Sequence, residues 1–218
     1  MILDLPWLPL PLQLWQERVH ADIFPRSLTC PEKKSGVIRL IAVGLMLCRL
    51  ASKCANSFGV GRLPWLFDHR QLGAGTPGGC EAIHSACRYL QNLVPYQMMV
   101  KLDFANSFNS LHRPDMLQSI REHLPELYSY CYSSYSQTSF LYFGPYVILS
   151  QEVPQQGDPL GMFLFCDTIQ RLLISLESEL TLGYFDDVTL GGPQDVVISD
   201  MKRITTEEGD LGLHLNPS

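Results

Sequence analysis

"GYFDDVTLGG", residues Gly183 to Gly192, sets two adjacent aspartates behind an aromatic pair and closes on two glycines. Adjacent carboxylates repel each other, so something must offset the cost of placing Asp186 beside Asp187. Two readings stand. In one the pair is a solvated hairpin turn, where aspartate is common. In the other it is half of a metal site whose missing ligand lies elsewhere in the chain. Both predict two short strands around a tight turn.

The segments on either side give that turn a neighbour. "YQMMVKLD" reads as a buried strand ending at Asp103. Pro114 at a first helical position and Asp115 in the first turn suit a helix start, with Met116, Leu117, Ile120 and Leu124 at helical spacing and Pro125 restarting the helix. "SFLYFGPYVILS" reads as a strand pair turning at Gly144 and Pro145. Asp158 as N-cap with Pro159 next opens a buried helix. Past the quoted stretch, Pro193 begins a helix carrying Val197, Met201 and Ile204, Gly209 stops it, and Leu211, Leu213 and Leu215 alternate as a strand. With residues 138–178 set aside as an insert, the order from Met98 is strand, helix, strand, strand, helix, strand. That is the split βαβ, ferredoxin-like arrangement, in which the first strand lies beside the central hairpin. Asp103 at a strand end and Asp186 in the hairpin turn then approach each other.

The N-terminal half is less regular. Residues 1–26 are irregular and proline-rich. "SGVIRLIAV" reads as a turn and strand, "GLMLCRLASKCA" as a short amphipathic helix, and "TPGGCEAIHSACRYLQNL" as a glycine entry to a helix with Ile83, Cys87, Leu90 and Leu93 on one face.

A chain of 218 residues that is 46% apolar can bury a sizeable core, as one domain or two closely associated subdomains. Arg39 and Arg49 bracket the best apolar run, far short of the ~20 residues a membrane span needs. The apolar N-terminal stretch carries Asp4 and prolines and lacks a basic leader, so neither secretion nor membrane insertion is expected. Seven cysteines without a CxxC pair speak against a disulfide framework and a structural zinc site. The expected location is therefore intracellular, in nucleus or cytoplasm. The net charge of −6 hides an asymmetry: residues 1–102 hold 11 Lys and Arg against 6 Asp and Glu, leaving 5 against 16 for the rest. The split is either ordinary surface variation or a basic lobe for phosphates beside an acidic lobe for divalent cations.

Three aspartates from neighbouring strands suit magnesium, which takes hard oxygen ligands and completes its shell with water and substrate phosphates. Paired divalent ions about 3.5 to 4 Å apart activate a hydroxyl nucleophile and stabilise a leaving phosphate oxygen. Here a resemblance enters. "VKLDFANSFNSL" resembles motif A of reverse transcriptases, "VPQQGDPLG" motif B, and "YFDD" the Y-x-D-D box of motif C, in that order. "IRLIAVGLMLCRLASKC" resembles the fingers segment of the family and "LGLHLN" its motif D. The resemblance runs from about Ser27 to Ser218 and is closest to polymerases of retrotransposons without long terminal repeats.

The resemblance implies an α+β fold of right-hand polymerase type. Residues 27–97 would be mainly fingers, residues 98–218 mainly a split βαβ palm, and the thumb would be absent. It implies Asp103 and Asp186 as principal ligands of two Mg²⁺ ions, with Mn²⁺ as substitute, Asp187 in support and the Phe104 backbone carbonyl as a further ligand. Phe108 falls where the family places an aromatic gate against the 2′-hydroxyl; read without the family it is a core aromatic. Gln156 and Gly157 match the pair that contacts incoming nucleotide and template, where glycine permits close backbone approach. Arg39 corresponds to an arginine that grips the triphosphate with its bidentate fork. Lys33 and Lys34 are candidates for the same phosphates or the template backbone, or a solvated pair. Tyr184 would sit near the primer terminus or simply pack.

The departures are Leu40 for a proline, Met162 for a proline after "PLG", and Ser107 where alanine is commoner. The expected partners are an RNA template, a primer strand and deoxynucleoside triphosphates, with a thumb or nuclease domain on a separate chain or missing. Two further readings stay open: a truncated, inactive retroelement remnant that binds nucleic acid weakly, and a palm-type nucleotidyl cyclase. The fingers-like segment and "QQGDPLG" argue for the templated enzyme, since a cyclase needs neither.

Overall fold

The computed structural model describes residues 26–31, 41–67, 69–93, 97–105, 107–150, 157–207 and 209–216. Among these the chain runs β1 (Arg26–Thr29), β2 (Ile41–Val43), α1 (Met46–Arg62), α2 (Pro64–Phe67), α3 (Gly79–Leu93) and β3 (Met98–Asp103). It continues with α4 (Arg113–His123), α5 (Pro125–Tyr135), β4 (Ser139–Phe143), β5 (Tyr146–Ser150), α6 (Gly161–Ser175), β6 (Leu180–Tyr184), β7 (Asp187–Gly192) and α7 (Gln194–Glu207).

The apolar run after Pro159 becomes the axis of the molecule. Every residue of α6 from Phe163 to Gln170 is buried, because helices pack on it from several sides. The T-shaped contact of Phe163 with Phe67 of α2 joins the N-terminal helices to it, and α4 lies along it as well. Phe163, Leu164, Phe165 and Ile169 share one core with Met116, Ile120, Leu127, Val188, Leu190 and Leu213. Three polar residues, Asp167, Thr168 and Gln170, are buried within it, and each has a hydrogen-bond partner.

There are two sheets among the described residues, and the one containing β3 and β7 contributes Leu102, Val188 and Leu190 to that core. One has the order β2-β1-β4-β5, with β1 antiparallel to β2 and parallel to β4. The other has the order β3-β7-β6, all antiparallel. Beyond β3, the last described segment adds a single antiparallel bridge between Phe104 and Leu215. Positions across the sheet are therefore Leu215, β3, β7 and β6. Among the described residues no helix is long and apolar enough to cross a membrane.

Several local expectations change. Helix α1 runs 17 residues, well past the short helix predicted, because Gly59 is buried where the helix packs rather than acting as a stop. Helix α6 begins at Gly161 instead of Pro159. Asp158 does not cap it: Leu160 is the N-cap, and Asp158 accepts the Leu160 N–H at 3.0 Å in the turn of Pro159 and Leu160 before the helix. Strand β3 is half-buried rather than buried, with Leu102 its one buried residue. On α3 only Leu90 of the predicted face is buried among Ile83, Cys87 and Leu90. The final leucines do not form a strand: Leu211 ends a 3₁₀ turn, Gly212 takes φ +75°, and only Leu215 pairs. The predicted strand before Ile41 and all but Arg26 of the N-terminal segment lie outside the described residues.

Candidate active site

Strand β3 pairs with β7 in a register that sets Asp103 opposite Asp187. On its other side Asp187 faces Tyr184, the last residue of β6. Asp186 lies between them in a two-residue turn with Phe185, which takes the left-handed φ of +57°. That conformation costs a bulky residue energy and persists only where surrounding structure enforces it. The Asp103 carbonyl accepts the Asn216 N–H at 2.8 Å, on the edge away from β7. Asp103 and Asp187 are then a non-hydrogen-bonded pair, the type with Cα atoms ~4.5 Å apart and side chains closest. Because successive carbonyls along a strand point to opposite edges, that of Phe104 faces the side of β7 and its turn.

Each carboxylate has its own protein donor. Asn216 Nδ2 donates to Asp103 Oδ2 at 3.1 Å. The Ser107 hydroxyl donates to Asp186 Oδ2 at 2.9 Å. Lys101 Nζ stands 3.2 Å from Asp187 Oδ2. Lys101 precedes Asp103 by two, so it shares that strand face and reaches Asp187 diagonally. Below the turn, burial pushes the Cys166 thiol far up, with Asp167 and then Asp186 adding to it, so this sulfur stays protonated. The acidic pair thus sits at the lip of an apolar core.

The donor set suits a hard divalent cation: three carboxylates, and a carbonyl on the side of β7 and its turn, at the ends of adjacent strands. As the side chains stand, no three acidic, histidine or cysteine groups among the described residues converge to hold one. Their oxygens are turned to Asn216, Ser107 and Lys101. An ion held here would have to take those oxygens from their present donors.

The other predicted residues distribute as follows. Phe108 lies in the 3₁₀ turn after β3, next to Ser107, with its ring 4.7 Å from that of Phe165 and tilted 44° to it. Tyr184 is half-buried with its ring 4.9 Å from that of Phe185. Gly157 takes φ +114°, and an added Cβ would stand 2.6 Å from the Ala42 carbonyl oxygen. Its close backbone approach is therefore to β2, where Gly157 and Asp158 line a shallow recess with Ala42, Arg49 and Ser52. Lys33, Lys34, Arg39 and Gln156 lie outside the described residues.

Sequence reading missed four contributors. Lys101, Asn216 and the buried Gln71 attracted no attention, and Ser107 figured only as a departure. Gln71 accepts the Phe185 N–H at 3.0 Å from 114 residues away, a pairing that leaves no periodic trace in the chain.

No protein-family model matches the chain, and no curated protein matches it. Solved structures do. Apo telomerase from Candida tropicalis superposes with a TM-score of 0.70 at 12% identity, over 91% of this chain and 43% of that one. Telomerase from Candida albicans, solved with a fragment of telomeric RNA, gives 0.68 at 11%, over 93% and 43%. The Sicinivirus 3Dpol RNA-dependent RNA polymerase gives 0.60 at 14%, over 96% and 48%. This chain spans less than half the length of each of the three. At such identities the similarity is one of fold, and the fold is that of nucleic-acid polymerases.

Proposed function

We propose that this chain is the fingers and palm portion of an RNA-directed DNA polymerase of the kind found in retrotransposons without long terminal repeats. The observation that carries it is the placing of Asp103 opposite Asp187, with Asp186 in the adjoining turn, within a polymerase-like fold. The sheet of β3, β6 and β7 is the palm, and β1, β2 and α1 belong to the fingers. Asp103, Asp186 and the Phe104 carbonyl would hold two Mg²⁺ ions, or Mn²⁺, with Asp187 in support. When bound, such ions supply activation of the primer 3′-hydroxyl and stabilisation of the departing pyrophosphate oxygen.

The chain's own groups do the rest. Asp103 and Asp186 turn from Asn216 and Ser107 toward the substrate side. Phe108, braced by Phe165, lies under the sugar and excludes a 2′-hydroxyl. Gly157, set against β2, and Gln156 contact nucleotide and template. Arg39, with Lys33 and Lys34, neutralises the triphosphate, and Tyr184 abuts the primer end. The RNA template, the primer and the deoxynucleotides are read from the motifs, and a telomerase solved with RNA supports a nucleic-acid partner.

A second reading is a folded, catalytically silent remnant, favoured by one observation: every carboxylate already has a protein donor. Primer extension on an RNA template, by this chain and by a version carrying a thumb, decides between them. Incorporation that disappears in Asp186→Ala supports the polymerase. Ribonucleotide incorporation in preference to deoxynucleotides would reassign it to RNA synthesis, and none by either protein would leave the remnant.

A further inference from the structure

The turn that carries Asp186 is held by more than its own hairpin. Gln71, fully buried, reaches it from the loop between α2 and α3. Its Oε1 accepts the N–H groups of Phe185 at 3.0 Å and of Gly73 at 3.2 Å, and its Nε2 donates to the Phe185 carbonyl at 3.3 Å. Two N–H groups facing Oε1 and a carbonyl facing Nε2 leave the amide one orientation. Both backbone polar groups of the left-handed residue are thus bound by a single side chain.

The clamp is itself anchored. Gln71 bridges Gly183 in parallel, the Gly183 N–H donates to the Arg70 carbonyl at 2.5 Å, and the Leu72 N–H donates to the Gly183 carbonyl at 2.8 Å. The Arg70 guanidinium donates to the carbonyls of Leu173 and Leu176 at the end of α6, at 2.5 and 3.3 Å. At Gly73 an added Cβ would stand 2.6 Å from the Phe185 nitrogen, so a side chain there would have to displace the turn. A short segment of the N-terminal half therefore ties the turn to the central helix.

We propose that Gln71 is a positioning residue for the candidate metal site: it holds the Phe185 peptide groups in the left-handed conformation that presents the next carboxylate, Asp186, at the turn adjoining the Asp103–Asp187 pair. This rests on the reading of the turn as the cation-holding end of a polymerase site. Without the Gln71 amide two N–H groups and a carbonyl lose their partners, and the left-handed residue loses what enforces it. The turn then samples other conformations, and Asp186 is presented to the cation for a smaller fraction of the time.

The test uses the full 218-residue chain, Tb³⁺ luminescence as the cation probe, and amide hydrogen exchange over residues 183–187. Gln71→Leu should keep the parental far-UV spectrum, weaken Tb³⁺ binding at least tenfold and speed turn exchange at least tenfold, with exchange in β4 and β5 unchanged. Gln71→Glu, which keeps an acceptor for both N–H groups, should fall between parent and Leu. Gly73→Ala, which keeps the amide but presses on Phe185, should move both readouts the same way. Parental Tb³⁺ affinity and parental turn exchange in the folded variants overturn the proposal. If Gln71→Leu does not fold, the Glu and Ala variants decide by the same criteria. If Asp186→Ala leaves Tb³⁺ binding of the parent unchanged, the metal reading itself fails. The clamp is then judged on turn exchange alone, where an unaltered rate rejects it.

Discussion

Ser107 and Asp186 are joined by a hydroxyl-to-carboxylate hydrogen bond of 2.9 Å that links the turn after β3 to the turn after β6. Ser107 is buried, so the bond is shielded from water. Position 107 is one where the reverse transcriptase pattern more often has alanine, so this chain gives Asp186 a partner that alanine cannot offer. Replacing Ser107 with Ala should cost about 1.5 to 3 kcal/mol of stability, the range for hydrogen bonds to charged groups. Urea unfolding measures it, and a variant as stable as the parent would remove the bond's structural role.

Lys101 stands against Asp187 with both side chains well exposed, at 66% and 39%. A surface ion pair of this kind contributes little to folding, so Lys101→Met should change stability by less than about 1 kcal/mol. Its effect should appear in cation binding. Removal of a positive charge about 4 Å from the acidic pair is worth ~1 kcal/mol in water, a gain of roughly fivefold in Tb³⁺ or Mg²⁺ affinity that should shrink as salt is added. Unchanged affinity at low salt would show that the ammonium does not compete at this site.

Phe108 packs its ring on Phe165, which limits how far it can swing. A fixed ring under the sugar discriminates by excluding one oxygen. In the thumb-bearing protein, Phe108→Ala should raise ribonucleotide use relative to deoxynucleotide use by tenfold or more in kcat/KM. It should also cost on the order of 2 kcal/mol or more in stability, through the space left against Phe165. Loss of stability with unaltered sugar selectivity would make Phe108 a packing residue only.

His123 Nδ1 lies 2.9 Å from Oδ1 of the fully buried Asp167. That hydrogen bond raises His123 above its ordinary 6.5, aided by the charges of Asp167 and Glu122, while burial and Arg171 pull the other way. A raised folded-state value means that protonation stabilises the fold. The contribution is present in full below 6.5 and is lost as pH rises through the raised value. Stability in urea should therefore fall as pH rises above about 6.5, and His123→Gln should flatten that slope. A parental slope in the variant would assign the pH dependence to other groups.

The candidate site was legible in part. Asp186 and Asp187 stand out because adjacent carboxylates need a reason, and Asp103 follows from the order of strands and helices around them. The register that pairs Asp103 with Asp187 agrees with that order. The residues that hold these carboxylates were not legible. Asn216 reaches Asp103 from 113 positions away and Gln71 reaches the turn from 114, and neither distance leaves a periodic mark. The alternating leucines after Gly209 misled for the opposite reason. Their period of two is that of a strand, but the 3₁₀ turn at Gly209–Leu211 and the left-handed Gly212 bend the chain so that only Leu215 can pair.

By itself the sequence determined which chemistry was available: three aspartates near strand ends, an apolar helix long enough to be buried on all sides, and turn residues that place a hairpin between Tyr184 and Asp187. Those properties are local, since apolar period and turn chemistry act within a few residues. Only the tertiary structure decided how the carboxylates stand to one another and what restrains them. Register is set by which faces of β3 and β7 pack on the core, and a one-residue slip would move Asp103 to the opposite face. The clamp of Gln71 on Phe185, the tie of Ser107 to Asp186 and the approach of Gly157 to β2 all arise where chain segments meet in space, so packing alone could place them.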